Sequence, residues 1–279
     1  MTATVAAPVQ VRSGAPDTVH LTFVRVLRSE LIKLLTLRST WWSIIVVAVV
    51  SVGLSALIAA SIGASAPDLP GAELARQVPT AVIAPIQFTM LLAGALGAIA
   101  VTGEYSTGMI RSTLTAQPRR GAILAAKALV VAVVLAVVSL VVFLVALLPV
   151  MAILHTAAFP AGDPGHTLQP ILFAVLAMAV FAVLGLSFGF ILRNGPGAVA
   201  ATVGLLFVLP IVGAIFPAEG SWGWVHDAAA YLPMSAAQSL TVPAGTDGAL
   251  SVPVALITLG CWVAAGLLGS WAVLRTRDA

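Results

Sequence analysis

The chain has 279 residues, 60% of them hydrophobic and 8% charged, with a mean hydropathy of +1.10 and a formal net charge of +3. Soluble domains are about 45–50% apolar and about 25% charged, so this composition excludes one and calls for lipid as the solvent. The single cysteine, Cys261, excludes an intramolecular disulfide, and without aromatic-and-basic patches the positive balance does not point to nucleic acid.

Residues 1–20, rich in Ala, Pro, Thr and Val without a helical period, read as a flexible tail. Over 21–40, LTFVRVLRSELIKLLTLRST puts Arg25, Arg28, Ser29, Lys33 and Thr36 on one helical face and Phe23, Leu27, Leu31, Leu34 and Leu37 on the other. That pattern predicts an amphipathic interfacial helix whose basic face meets anionic lipid or a partner protein. Trp41 and Trp42 then mark a membrane boundary.

A spanning helix needs about 20 apolar residues. Six stretches qualify: 41–62, 82–102, 124–151, 169–192, 197–217 and 251–274. The third is longer than a bilayer requires and should tilt or protrude. Ala64–Ala66 mimics a signal-cleavage site, but the run before it exceeds the roughly 7–15 residues of a signal core and a long polar segment precedes it, so the first span is expected to stay. Six spans put both termini on one side, with 12 of the 13 lysines and arginines there and only Arg76 opposite. The positive-inside rule makes that side cytoplasmic. The expected fold is thus an all-α integral membrane protein of six transmembrane helices over 41–279, both termini cytoplasmic, preceded by the interfacial helix and residing in the cell membrane.

Between the spans, SAPDLPGAELARQVPT and HTAAFPAGDPGHTLQP read as short, turn-rich external loops. The third external segment, 218–250, carries Trp222, Trp224 and Tyr231, a short helix VHDAAAYL and a second segment MSAAQSL, which suggests a re-entrant pair. GLSFG at 185–189 matches a nucleophile-elbow pattern, but its mid-span position favours small-residue helix packing. GPGAVA at 195–200 fits a loose dinucleotide pattern yet lies between two spans, where it reads as a tight turn with Pro196 starting a helix. The four histidines are scattered without a metal-type spacing, and no phosphate-loop motif occurs. No Asp, Glu, Arg or His lies deep in a span, which argues against an ion-coupled carrier, a charge-ring channel and an intramembrane enzyme.

The polar stretch GEYSTGMIRSTLTAQPRRGAILAAK, from Gly103 to Lys127, remains. Met109, Ile110 and Leu114 could anchor a short helix before Pro118 breaks it. Pattern alone leaves two readings, a solvated basic loop or a docking element for a soluble partner.

This stretch resembles the segment after the second span of ABC-2 type permeases, the membrane subunits of ATP-binding-cassette exporters. RSELIKLLTLRSTWW resembles their connecting helix, and YLPMSAAQSL the element before their last span. The resemblance implies a coupling helix within 103–123 that seats on a cytoplasmic ATPase subunit, with Glu104, Tyr105, Met109, Ile110 and Arg111 in or beside the contact and Arg28, Glu30 and Lys33 alongside. It implies a second permease chain, identical or related, lining a shared pathway for which Gln87, Thr89, Met90 and Phe207 are candidates. This chain would bind no cofactor and catalyse nothing itself; ATP and Mg2+ would belong to the ATPase. A pathway poor in charge suits amphipathic, lipid-like or drug-like cargo. The competing reading is a non-transporting membrane scaffold or immunity-type protein.

Overall fold

The computed structural model describes residues 22–65, 68–117, 119–157, 165–217, 219–242 and 248–276, so the tail expected over 1–20 lies outside it. Every regular element among the described residues is helical. Six helices are long and apolar enough to cross a membrane: Arg38–Ser65, Gly71–Ser106, Arg120–Leu154, Gly165–Leu192, Gly195–Ile215 and Val252–Thr276. In lipid a helix satisfies its own backbone N–H and C=O groups, which is why apolar runs of this length adopt it.

Ahead of them, α1 (Phe23–Thr36) turns Val26, Glu30 and Leu34 into the protein. Arg28, Val24, Leu31 and Leu35 stay exposed, and Lys33 sits between the inner and outer faces. The first span, α2 (Arg38–Ser65), buries only Thr40, Ser51, Ser55 and Ala59 and leaves Trp41, Trp42, Ile45, Val46, Val49, Val50 and Leu57 exposed.

The second span is bent. It consists of α3 (Gly71–Ile83) and α4 (Ile86–Ser106), joined at Ala84 and Pro85. The turn-rich loop expected over this region is therefore helical from Gly71 onward. The reason is the stripe Ala75, Val78 and Val82, which is buried against α2 and the later spans and carries the helix through Pro79. Ser55 Oγ donates to Val82 O at 3.0 Å beside the bend.

After a turn through Gly108, whose φ of +72° suits glycine, comes the short α5 (Met109–Ala116). The third span, α6 (Arg120–Leu154), has 35 residues. At about 1.5 Å per residue it extends roughly 50 Å, well past a hydrocarbon core of about 30 Å. The fourth is α7 (Gly165–Leu192) and the fifth begins with α8 (Gly195–Val203). A π-helical turn, Gly204–Val208, links α8 to α9 (Leu209–Ile215), with Leu209 N–H reaching back to Gly204 O and Pro210 one residue on.

At the opposite end from α1 and α5, two short helices follow, α10 (Gly223–Ala229) and α11 (Pro233–Ser239). Trp262 Nε1 donates to Tyr231 O at 2.9 Å and ties them to the last span, α12 (Val252–Thr276).

The core is the crossing of α4 and α7. A Cβ placed on Gly97 would fall 1.9 Å from Ala182 O, and one on Gly185 would fall 1.8 Å from Gly94 O. The two backbones touch because neither residue has a side chain. Met90, Phe181, Leu186 and Phe190 close around them, all fully buried. Ser187 of GLSFG is 2% exposed and its Oγ donates to Val183 O at 2.8 Å, so it lies within a regular helix and presents no nucleophile elbow. GPGAVA opens α8, with the Asn194 side chain accepting from Gly197 N–H at 3.1 Å.

Candidate functional site: a buried ion-pair network

Four charges and a hydroxyl from four helices meet at the end of the bundle that carries α1 and α5. Lys33 Nζ donates to Glu30 Oε1 at 2.7 Å, to Glu104 Oε1 at 3.1 Å and to Thr113 Oγ1 at 3.3 Å. Lys127 Nζ donates to Glu104 Oε1 at 2.8 Å and also to Glu30 Oε2. The network thus ties α1, the end of α4, α5 and the first turns of α6. Glu30, Glu104 and Lys127 are 3%, 4% and 4% exposed, so these charges have lost nearly all their water. Such burial is tolerated only when charges balance and are hydrogen-bonded, and here two carboxylates face two ammonium groups. Lys33, with its side chain 26% exposed, is the member nearest solvent.

Burial alone would raise the Glu30 carboxyl, but Lys127 and then Lys33 outweigh it and hold it below its ordinary 4.5. For Lys33 burial would lower the ammonium, yet Glu30 and Glu104 together hold it above 10.5. A depressed carboxyl stabilises the fold above its unfolded value, and that contribution is lost as pH falls through the folded value. A raised ammonium stabilises below its unfolded value and loses its contribution as pH rises through the folded one. The contribution of these two groups to thermal stability in detergent should therefore be level between 4.5 and 10.5 and fall outside both limits. A melting temperature unchanged well below 4.5 would remove the Glu30 pairs from the stability of the fold.

Of the residues the sequence singled out, Glu30, Lys33 and Glu104 stand in this network. Ile110 is 2% exposed and points inward, whereas Met109, Arg111 and Arg28 are open. Tyr105 is half-buried beneath the Arg193 guanidinium, which lies 5.4 Å above its ring. Gln87 is exposed, Thr89 and Met90 are 6% and 0% exposed, and Phe207 is half-buried in the π-helical turn. Thr89 lines a cavity of about 40 Å³ with Ser139, Phe143 and Met178; Gln87, Met90 and Phe207 do not.

Sequence reasoning missed Lys127 and Thr113 as members of the network. A lysine two turns inside a long apolar helix was the available signal, because it needs an anion at that depth. It also missed Arg120 and Arg193, which donate to the carbonyls of Leu274 and Val273 and so close the end of α12.

Beside the network opens a cleft of about 520 Å³ between α1, α4 and α6. Glu30, Lys33, Glu104 and Lys127 form one wall, and Leu37, Ile99 and Val131 belong to the apolar remainder. Among the described residues no group of three or more His, Cys, Asp or Glu side chains is placed to hold a metal ion.

Two comparisons bear on identity. A family profile described as ABC-2 family transporter protein matches residues 26–216, from α1 to the end of the fifth span, and stops short of α10 to α12. No curated protein matches the chain. The profile covers well over half of the 279 residues and includes every member of the buried network. With its six apolar helices, the chain is a multi-pass membrane protein and belongs to the ABC-2 transporter family, as an ABC-2 type permease.

Proposed function

We propose that this permease pairs with a second permease chain in the cell membrane and exports amphipathic, lipid-like or drug-like cargo, driven by a separate cytoplasmic ATPase that docks on α5. One observation carries the reading. α5 is fastened to the buried network through Thr113, and its Ile110 is buried, while Met109 and Arg111 are exposed. A push on α5 then reaches α1 through Lys33, α4 through Glu104 and α6 through Lys127, a contiguous chain of packed and hydrogen-bonded groups. The clustering of 12 of 13 basic residues on this side supports a cytoplasmic location for it and for both termini. On this reading the chain binds no cofactor; ATP and Mg2+ stay with the ATPase, whose closure and hydrolysis turn the paired permeases outward and back.

The test is purification in mild detergent from the native membrane. The wild type should bring a nucleotide-binding subunit in stoichiometric amount, and Met109→Glu or Arg111→Glu should release it without lowering the yield of folded permease. Both positions are exposed, so they report on docking; Glu104, enclosed in the network, reports on folding as well. A wild-type chain that purifies alone and stimulates no ATPase would favour the scaffold reading.

A further inference from the structure

The cleft beside the ion-pair network does not end there. Leu34, Leu37, Ile99 and Val131 line both it and a second cavity of about 90 Å³, which also touches Thr40 and Ser43 of α2. Leu96 and Leu135 line both that second cavity and the innermost one of about 40 Å³, whose floor includes Phe143 and Met178. Sharing walls in this way, the three follow one another as a crevice from the charged end toward the middle of the bundle, the inner two along α2. It tapers from about 520 to 90 to 40 Å³. Its wide end holds Glu30, Lys33, Glu104 and Lys127 with the polar residues Thr36 and Thr107, and its narrow end is almost wholly apolar.

We infer that this crevice binds a single-chain amphiphile with a zwitterionic headgroup, head against the ion-pair wall and chain along α2. The taper favours one chain, since the narrow end holds about 40 Å³ against about 520 Å³ at the wide end. The charge count decides the head. Two carboxylates and two ammonium groups cancel, so the wall has no net charge to hold a simple anion or cation. It does offer charges of both signs within a few ångströms, which an ammonium and a phosphate joined in one headgroup can meet together. The apolar length beyond removes the chain from water. The surface of α2 explains the chain's course: it lines the middle cavity with Ser39, Thr40 and Ser43, small enough to leave a gap, and the narrow one with Ile44 and Val47. Treating this amphiphile as cargo rests on the permease reading; its binding does not.

The chain alone, in nanodiscs without any ATPase, is labelled with a lysophosphatidylcholine carrying a photoreactive group on its acyl chain, and the labelled peptides are mapped. Labelling should concentrate on α2 over residues 39–47 and on α4 over residues 89–100, and excess tetradecylphosphocholine should abolish it. Ser43→Trp, placed in the middle cavity, should lower labelling severalfold, whereas Val49→Trp, on the outward side of α2, should not. If Ser43→Trp does not fold, Ile99→Trp serves, since Ile99 is 51% exposed and lines the same passage. Labelling spread evenly over Val49 and Leu57, or unaffected by either tryptophan, would mean surface lipid only and overturn the site. Competition by tetradecyl sulfate or tetradecyltrimethylammonium as strong as by the zwitterion would overturn the headgroup. Loss of ATPase co-purification with labelling intact would fail the permease reading and leave this one standing.

Discussion

Lys127→Met should cost the permease about 3–5 kcal/mol of stability, the range for removing one partner from a buried ion pair. The change leaves Glu30 and Glu104, at 3% and 4% exposure, sharing the ammonium of Lys33. Lys33 cannot replace it, since it already donates to Glu30, Glu104 and Thr113. The penalty belongs to the stranded charge and not to the lost bond, so removing that charge as well should recover most of it. In Lys127→Met with Glu104→Gln, one carboxylate and one ammonium remain, Glu30 and Lys33, at 2.7 Å. A double-mutant cycle read by denaturant titration in mixed micelles gives the coupling directly. If the double variant is less stable than Lys127→Met alone, charge balance is not what the network supplies.

Gly185→Ala should be as damaging as any single methyl group added to this chain. The new carbon would lie 1.8 Å from Gly94 O and 2.9 Å from Gly94 Cα, so it strikes backbone that cannot rotate away. Overpacking costs typically about 1–3 kcal/mol, and a collision with main chain puts this position at or above the top of that range. Gly97→Ala, facing Ala182 O at 1.9 Å, should behave alike. The same substitution at Gly53 or Gly260, where nothing lies within 4 Å, should be neutral or gain up to about 1 kcal/mol from helix propensity. Thermal melting of the four variants in detergent makes the comparison. Equal melting temperatures for Gly185→Ala and Gly260→Ala would refute the close crossing of α4 and α7.

Hydropathy made the spans legible, because a run of about 20 apolar residues has few alternatives to a helix in lipid. The excess length of α6 was visible for the same reason. What escaped were features decided by neighbours distant in sequence. The helix α3 was hidden by Pro70 and Pro79, which read as breaks, while the stripe that stabilises it, Ala75, Val78 and Val82, is too short to stand out against them. Lys33 grouped with Arg28 on the basic face expected to meet lipid or a partner because a helical wheel does not know where the bundle lies; at the border of two faces, it turned inward to the carboxylates. Lys127 stood only as the last residue of the polar stretch. Its partners lie 97 and 23 positions away, and no local periodicity joins them. For the candidate site, pattern and resemblance drew attention to Glu30, Lys33 and Glu104 singly, but their mutual contact required the fold.

The spacing of that network also sets an order on biogenesis. A chain leaves the ribosome from its N-terminus, and Glu30 and Lys33 can pair at once because they are three residues apart on one helix. Lys127 follows 97 positions after Glu30. Two spans lie between them in the sequence, and until Lys127 is made the pair on α1 has no second ammonium beside it. Only when the start of the third span arrives can the pair be sealed from solvent. A chain that stops before that point has Glu30, Lys33 and Glu104 but no Lys127, so the network cannot close.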